Sequence, residues 1–315
     1  MSEPAASSPA NHPRDLIALT KPRITLMVML TSAAGYFLAS GGHPDPQAML
    51  VAMAGIALVA SGTSGLNQVI ERDVDARMQR TRMRPLPAGR VSVRAATVFT
   101  SLLAISGVIY LDVFVNRLTA ILALASIISY VFMYTPLKQV SSLSTLVGAI
   151  PGALPIMGGW TAARPDLGPG AWALFGILFF WQLPHFLALA WLFRDDYRRG
   201  GLKMLGVLDP EARQPRVQAV LYAAALIPAS LLPVTIGLSD GFYGIAALLM
   251  GVAYLVAALR FFRQADIGSA RRLFRTSLLY LPVVLVVLSL DRGPYPGSSI
   301  PADVTSVEAA APASS

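Results

Sequence analysis

Nine stretches of this chain run without a charge for close to the width of a membrane: Ile24–Ala39, Ala48–Ile70, Ala95–Leu111, Leu118–Leu137, Val140–Ala163, Leu167–Phe193, Val217–Ser239, Gly241–Leu259 and Thr276–Leu290. Most approach or exceed the ~20 residues that cross a hydrocarbon core of ~30 Å at ~1.5 Å per residue. The last is the shortest and is predicted to begin near Leu273, with Arg275 reaching the interface along its own stem. Only 13% of the residues are charged, against roughly 25% in soluble domains, which excludes a water-soluble globule. The expectation is an all-α, multi-pass membrane protein.

The basic residues orient it. With the N-terminus in the cytoplasm, 22 of the 25 lysines and arginines fall in cytoplasmic segments, and only Arg117, Arg164 and Arg292 lie outside. Nine spans then leave the C-terminus outside. Residues 1–15 read as a disordered tail with neither a signal-peptide apolar region nor an Arg-rich amphipathic pattern. Residues 16–290 form the transmembrane domain, and 291–315, rich in Pro, Ser and Ala, a second disordered tail. The pairs Gly148/Gly152 and Gly237/Gly241 have the small-xxx-small spacing of close helix contacts. No sequence repeat of fixed period is present.

The absence of cysteine removes disulfide scaffolds, thiolate metal sites, iron–sulfur clusters and a cysteine nucleophile. A net charge of +8 does not point to nucleic acid, because the charge sits between apolar runs and not on one basic face. An anionic membrane surface or a phosphorylated substrate is the natural partner.

Two cytoplasmic segments carry clustered acid as well as base at the inner end of a span. Asn67, Glu71 and Asp75 recur every fourth residue at the inner end of the second span, so on a helix they share one face. An amide and two carboxylates in such a stripe suit a hard divalent cation such as Mg²⁺, which takes one or two carboxylates plus substrate phosphates. Arg77, Arg80, Arg82, Arg84 and Arg90 follow, a density of guanidinium suited to phosphate. The second acidic segment, Arg194-Asp195-Asp196-Tyr197-Arg198-Arg199, ends the sixth span, which runs in the same direction as the second. Both acidic sites therefore emerge on one membrane face and can converge. Solvated ion pairs account for acids among loop arginines in general, but not for two acidic helix ends on one face.

Other polar residues lie at membrane depth. Tyr134 and Lys138 are four apart at the inner end of the fourth span, where interfacial anchoring competes with a functional role. His185 follows Pro184 inside the sixth span, where an ionisable group is a functional candidate by default and a histidine merely satisfied by a neighbouring helix is the competing reading. His12 and His43 fall in a tail and an outer loop, so only His185 is placed to serve as a buried haem or metal ligand.

The string Asn67-xxx-Glu71-xxx-Asp75, with Arg80-Thr81 and Arg84-Pro85-Leu86, resembles the first signature of the membrane-embedded aromatic prenyltransferases. Within that superfamily, Leu19-Thr-Lys-Pro-Arg-Ile24, Tyr134-Thr-Pro-Leu-Lys138, Trp181-Gln-Leu-Pro-His-Phe186 and Arg194-Asp-Asp-Tyr197 are similar to motifs of the haem-farnesylating branch. The match covers about Leu16 to Leu290. Glu71 stands where the superfamily more often has Asp, and adjacent Asp195 and Asp196 replace a spaced pair.

The resemblance implies nine transmembrane helices around a central cavity in a bacterial inner membrane. It also implies Mg²⁺-dependent transfer of a farnesyl group from farnesyl diphosphate to a vinyl group of haem B, giving haem O and diphosphate. Asn67, Glu71, Asp75, Asp195 and Asp196 would hold the metal, while Arg23, Arg80, Arg84, Lys138 and Arg198 would hold the diphosphate. Tyr134, Lys138 and His185 would be the catalytic residues: a ring face for the allylic cation, a charge for the leaving group, and a ligand for the haem. Haem A synthase or a terminal oxidase assembly would take the product. Two readings compete: a prenyltransferase of the same superfamily acting on a phenolic or quinone precursor, and a transporter of an anionic solute. No Ser-His-Asp set, Walker loop or dinucleotide-binding glycine pattern supports another enzyme class.

Overall fold

The computed structural model describes residues 11–209, 211 and 213–295. A short helix α1 (Pro13–Leu19) leads into α2 (Pro22–Ala39) and α3 (Pro46–Ile70), and α4 (Arg72–Arg77) continues from the end of α3. Helices α5 (Val93–Phe114) and α6 (Arg117–Ile127) follow; α6 runs on through a π-helical segment (Ile128–Tyr134) into α7 (Thr135–Val140). Then come α8 (Ser144–Ala163), α9 (Pro169–Leu192), the short α10 (Arg194–Gly200) and α11 (Leu205–Leu208), and finally α12 (Arg213–Thr235), α13 (Gly241–Gln264) and α14 (Ile267–Leu290).

Nine helical stretches among the described residues are long and apolar enough to span a bilayer, α6 through α7 counting as one. They coincide with the nine runs read from the sequence, and the boundaries shift for identifiable reasons. The last helix starts at Ile267, not near Leu273, because Asp266 caps it by accepting the amide of Ser269. Arg271, Arg272 and Arg275 therefore ride on its first turns. The expected tails also need correction. Pro13–Asp15 are helical and Asn11 pairs with the Ser92 amide, so the ordered chain begins before residue 16. At the other end, Arg292 bridges to Ser239 and bonds the Gly41 carbonyl, and the Tyr295 hydroxyl accepts the Gly170 amide. Residues 291–295 are thus a strap across three loops. The remainder of both expected tails, 1–10 and 296–315, lies outside the described residues.

Helices α8 and α9 are the most buried spans, and α8 touches both of two packing groups. One cluster joins them to α12, α13 and α14 through Trp160, Tyr243, Tyr254, Phe261 and Tyr280, all fully buried. The other joins α2, α3, α5 and α6 through Tyr36, Met53, Ile56, Val59 and Leu111. Outward positions of α5 and α13, among them Leu102, Ile105, Ile109, Ile245 and Leu249, stay exposed, a face that suits lipid and not water.

Glycines set how closely the first group packs. A Cβ on Gly62 would lie 2.4 Å from the Ala104 amide nitrogen, and one on Gly107 2.7 Å from that of Val59, so α3 and α5 meet backbone to backbone. Of the two pairs expected to make helix contacts, Gly148/Gly152 does so, against the side chains of Tyr134 and Gln182. Gly237/Gly241 does not: Gly237 is a turn residue with φ of +74°, and neither glycine has a neighbour a Cβ would touch. Its spacing reflects a tight αα turn.

The α2–α3 loop and the segment between α4 and α5 lie at opposite ends of α3. In this cysteine-free chain, His43→Cys and Ala88→Cys, both at exposed positions, should be labelled by a membrane-impermeant maleimide from opposite sides of sealed vesicles. Labelling of both from one side would break the nine-span arrangement.

Candidate active site

The stripe at the end of α3 keeps its helical spacing across the junction with α4. The Glu71 amide donates to the Asn67 carbonyl at 2.9 Å and the Asp75 amide to the Glu71 carbonyl at 2.7 Å. All three side chains are buried, Asp75 to 1% exposure. Charged groups are rarely buried without partners, and here each polar group meets a base from a different element. Asn67 Oδ1 accepts from Lys21 Nζ at 3.0 Å, while its Nδ2 donates to Thr135 Oγ1. Glu71 Oε1 pairs with Lys138 Nζ at 2.6 Å. Asp75 Oδ2 accepts from Arg84 Nη1 at 2.7 Å, and Asp75 Oδ1 is buried with no partner.

Lys21 was absent from the residues singled out by sequence, which placed Arg23 in its stead. Arg23 lies exposed on the first turn of α2. Lys21 adopts a left-handed conformation with φ of +47° just ahead of Pro22, a placement that side chains other than glycine take only when their surroundings impose it. Burial, and the charges of Arg84 and Lys138, push its amine down to about 7 against the pull of Glu71 and Asp75. An anion entering between these bases would draw Lys21 into its charged form. The legible signal was the Lys-Pro pair opening the second helix, since proline at that position fixes the helix start and aims the preceding residue.

The second acidic segment divides its two carboxylates. Asp196 is buried and accepts the amides of Gln79 (2.8 Å) and Arg80 (3.1 Å) together with Arg199 Nη2 (2.7 Å). Burial raises its carboxyl, but these bonds outweigh that and hold it below the usual range. Asp195 is exposed and pairs with Arg198 at 3.2 Å. Among the described residues no three His, Cys, Asp or Glu side chains gather around one point. The structure therefore does not bring Asp195 and Asp196 together with Glu71 and Asp75 as one ligand set, because both oxygens of Asp196 are spent on fixing the loop after α4. Arg80 lies over the rings of Phe193 (5.1 Å) and Tyr197 (5.9 Å), and Arg198 answers Asp195. Of the basic residues expected at the site, Arg84 and Lys138 are in the cage.

Beneath the cage lies a cavity of about 320 Å³ bounded by α2, α3, α6, the π-helical segment and α8, with single residues of α5 and α9; Val28, Ile56, Val59, Leu122, Pro155 and Phe186 are in its wall. Tyr134 joins the two. Its ring lines the cavity, carries Lys138 Nζ 4.4 Å from its centroid, and lies 5.3 Å from the ring of Tyr130. The π-helix widens the turn at this point, a device common at functional sites. Gly148 makes room for the ring: a Cβ there would sit 2.5 Å from Tyr134 Cε2. His185 does not line the cavity, although its neighbour Phe186 does. It faces α14, with Nδ1 2.7 Å from Ser277 Oγ.

A basic, oxygen-rich cage at the membrane face, opening through an aromatic ring into an apolar cavity, defines a membrane protein that takes an anionic head on a hydrocarbon tail. The model of the UbiA prenyltransferase family matches residues 28–281, and the chain belongs to that family. A protein from Solibacter usitatus named protoheme IX farnesyltransferase is 42% identical over 291 residues, 89% of this chain and 99% of its own. A protein of the same name from Salinibacter ruber is 42% identical over 277 residues, 88% of this chain and 98% of its own. Solved structures share the fold at low identity. Digeranylgeranylglyceryl phosphate synthase superposes with a TM-score of 0.76 at 15% identity, covering 88% of this chain and 97% of that one. A UbiA homolog from Archaeoglobus fulgidus bound to GPP and Mg²⁺ gives 0.62 at 16%, covering 87% and 99%.

The two adjacent acids should behave unlike each other. Asp196→Ala strands two amides, at about 1–3 kcal/mol for a buried unpaired group, and should lower the thermal midpoint in detergent. Asp195→Ala should leave it unchanged within about 0.5 kcal/mol. Because the Asp196 carboxyl is held low when folded, its contribution is present at neutral pH and lost as the pH falls below the usual carboxylate range. Equal midpoints for the two variants would contradict the assignment.

Proposed function

We propose that this protein transfers a farnesyl group from farnesyl diphosphate to a vinyl group of haem B, releasing diphosphate. The observation that carries the reading is the junction at Tyr134 of a cage holding Lys21, Arg84 and Lys138 with an apolar cavity. The name borne by relatives 42% identical over most of the chain supports haem as the acceptor.

Breaking the bond between farnesyl C1 and the diphosphate oxygen leaves an allylic cation and a highly charged leaving group. The barrier falls when cations already surround that group. The donor set fits a divalent metal: Asn67 and Glu71 present oxygens on the face of Asp75, whose Oδ1 is buried and unpartnered. Mg²⁺ held by these three residues would supply Lewis-acid stabilisation of the leaving oxygens. Lys138 and Arg84 now pair with the two carboxylates and Lys21 bonds the amide oxygen, and all three are the bases placed to turn to diphosphate oxygens. Arg23, Arg80 and Arg198 serve at most the approach of the anion from the membrane face. Asp195 is the second-segment carboxylate open to a metal, whereas Asp196 acts by holding the loop. The Tyr134 ring faces the developing cation, and the cavity wall excludes the water that would quench it. His185 binds the haem.

The concentration of basic residues at the cage end supports a cytoplasmic position for it in a bacterial inner membrane. The reaction calls for a membrane partner that consumes the farnesylated haem, a haem A synthase or terminal oxidase assembly.

Purified protein incubated with haem B, farnesyl diphosphate and Mg²⁺ should yield a farnesylated haem by mass. Transfer to a phenolic acceptor in its place would select the quinone-type alternative, and flux of an anion without consumption of farnesyl diphosphate the transporter. Asp75→Asn should cut turnover by roughly 100-fold with the protein still folded, and Glu71→Asp should be milder because the carboxylate survives. His185→Ala should weaken haem binding while leaving the KM for farnesyl diphosphate largely intact; the reverse pattern would move His185 to the leaving-group site.

A further inference from the structure

The contacts of His185 determine which ring nitrogen carries its proton. Ser277 Oγ on α14 lies 2.7 Å from His185 Nδ1 and 2.6 Å from the carbonyl oxygen of Phe274, one turn back. A serine hydroxyl has one hydrogen to donate and lone pairs with which to accept. The Phe274 carbonyl can only accept, so it takes that hydrogen, and the Ser277 oxygen is left to accept from the ring. Nδ1 therefore bears the hydrogen and the free lone pair lies on Nε2. Among the described residues, Nε2 has no hydrogen-bond partner.

The ring plane is fixed as firmly as the tautomer. Trp181 stacks on the imidazole at 5.2 Å and Phe274 at 4.8 Å. Trp181 Nε1 donates to the Ser277 carbonyl, and the Tyr254 hydroxyl donates to the Trp181 carbonyl, tying α9, α13 and α14 around the histidine. This is the arrangement of a metal-ligating histidine, whose other nitrogen donates to an oxygen that sets its orientation. A bare ion needs several protein ligands, and no group of three His, Cys, Asp or Glu exists among the described residues. A metal already chelated by a macrocycle needs only one. Phe186, next along the helix, lines the prenyl cavity, so the histidine sits one residue from it.

We propose that Ser277 is a positioning residue that holds His185 in its Nδ1–H form, so that Nε2 ligates the iron of a metalloporphyrin seated against the α9/α14 face. This rests on the haem reading above. The test titrates ferric haem B into the purified full-length protein and into His185→Ala, Ser277→Ala and Ser277→Thr, reading the Soret band and, after reduction, the iron–imidazole stretch by resonance Raman. Ser277→Ala should weaken haem binding by roughly tenfold and shift the stretch, Ser277→Thr should restore both, and neither should change the KM for farnesyl diphosphate. If Ser277→Ala does not fold, Ser277→Cys serves, since sulfur accepts a hydrogen bond only weakly. A spectrum altered by His185→Ala but identical in the Ser277→Ala or Ser277→Cys variant overturns the role of Ser277 and leaves His185 as ligand. A spectrum that His185→Ala also leaves unchanged overturns the ligand assignment itself.

Discussion

A charge at the edge of hydrocarbon persists only if another group answers it, and the inner end of this bundle is arranged around that requirement. Glu71 and Asp75 are buried, and their partners Lys138 and Arg84 come from α7 and from the loop after α4. Lys21 reaches Asn67 from the turn before α2. Each pairing ties one helix end to another, so the electrostatics of the site and the relative placement of α2, α3 and α7 are one arrangement. The loop carrying Arg84 depends in turn on Asp196, which grips its backbone through two amides.

The spans, their order and the Asn67/Glu71/Asp75 stripe were legible in the sequence because their causes are local: a run of apolar residues of membrane length, and a four-residue spacing. The pairing of acids with bases was not, since Lys21 meets Asn67 across 46 positions of chain and Lys138 meets Glu71 across 67. Proximity in sequence was also misleading. Asp195 and Asp196 are neighbours, yet one faces solvent and the other is buried, because adjacent residues on a helix point about 100° apart. Arg23 is exposed on the first turn of α2, whereas Lys21, half-buried ahead of Pro22, is turned to Asn67 by its left-handed backbone.

The π-helical segment had no signature in composition or period, since its residues are as apolar as those of any other span. Its effect appears only in three dimensions, where Tyr130 and Tyr134 line one cavity and Gly148 leaves space for the second ring. The glycine at 148 was legible as a site of close approach, but what approaches is an aromatic side chain and not a helix backbone. His185 was legible as an anomaly at membrane depth, and its orientation toward α14 follows from Ser277, 92 residues away.

The strap at Asp291–Tyr295 and the bonds at the start of α6 have a bearing on the membrane as an electrical barrier. Asn116 Nδ2 donates to the Thr161 carbonyl and Thr119 pairs with Thr161 across α6 and α8, while Arg292 and Tyr295 bind the loops on the same side. The cavity is lined by Leu111 and Thr119 at that end and by Tyr134 at the other. A bundle that brings several cations to one face and encloses a cavity much of the way to the other has the makings of an ion leak. The bonds that join α6 to α8, and the strap to its loops, hold that end of the bundle together against such a leak.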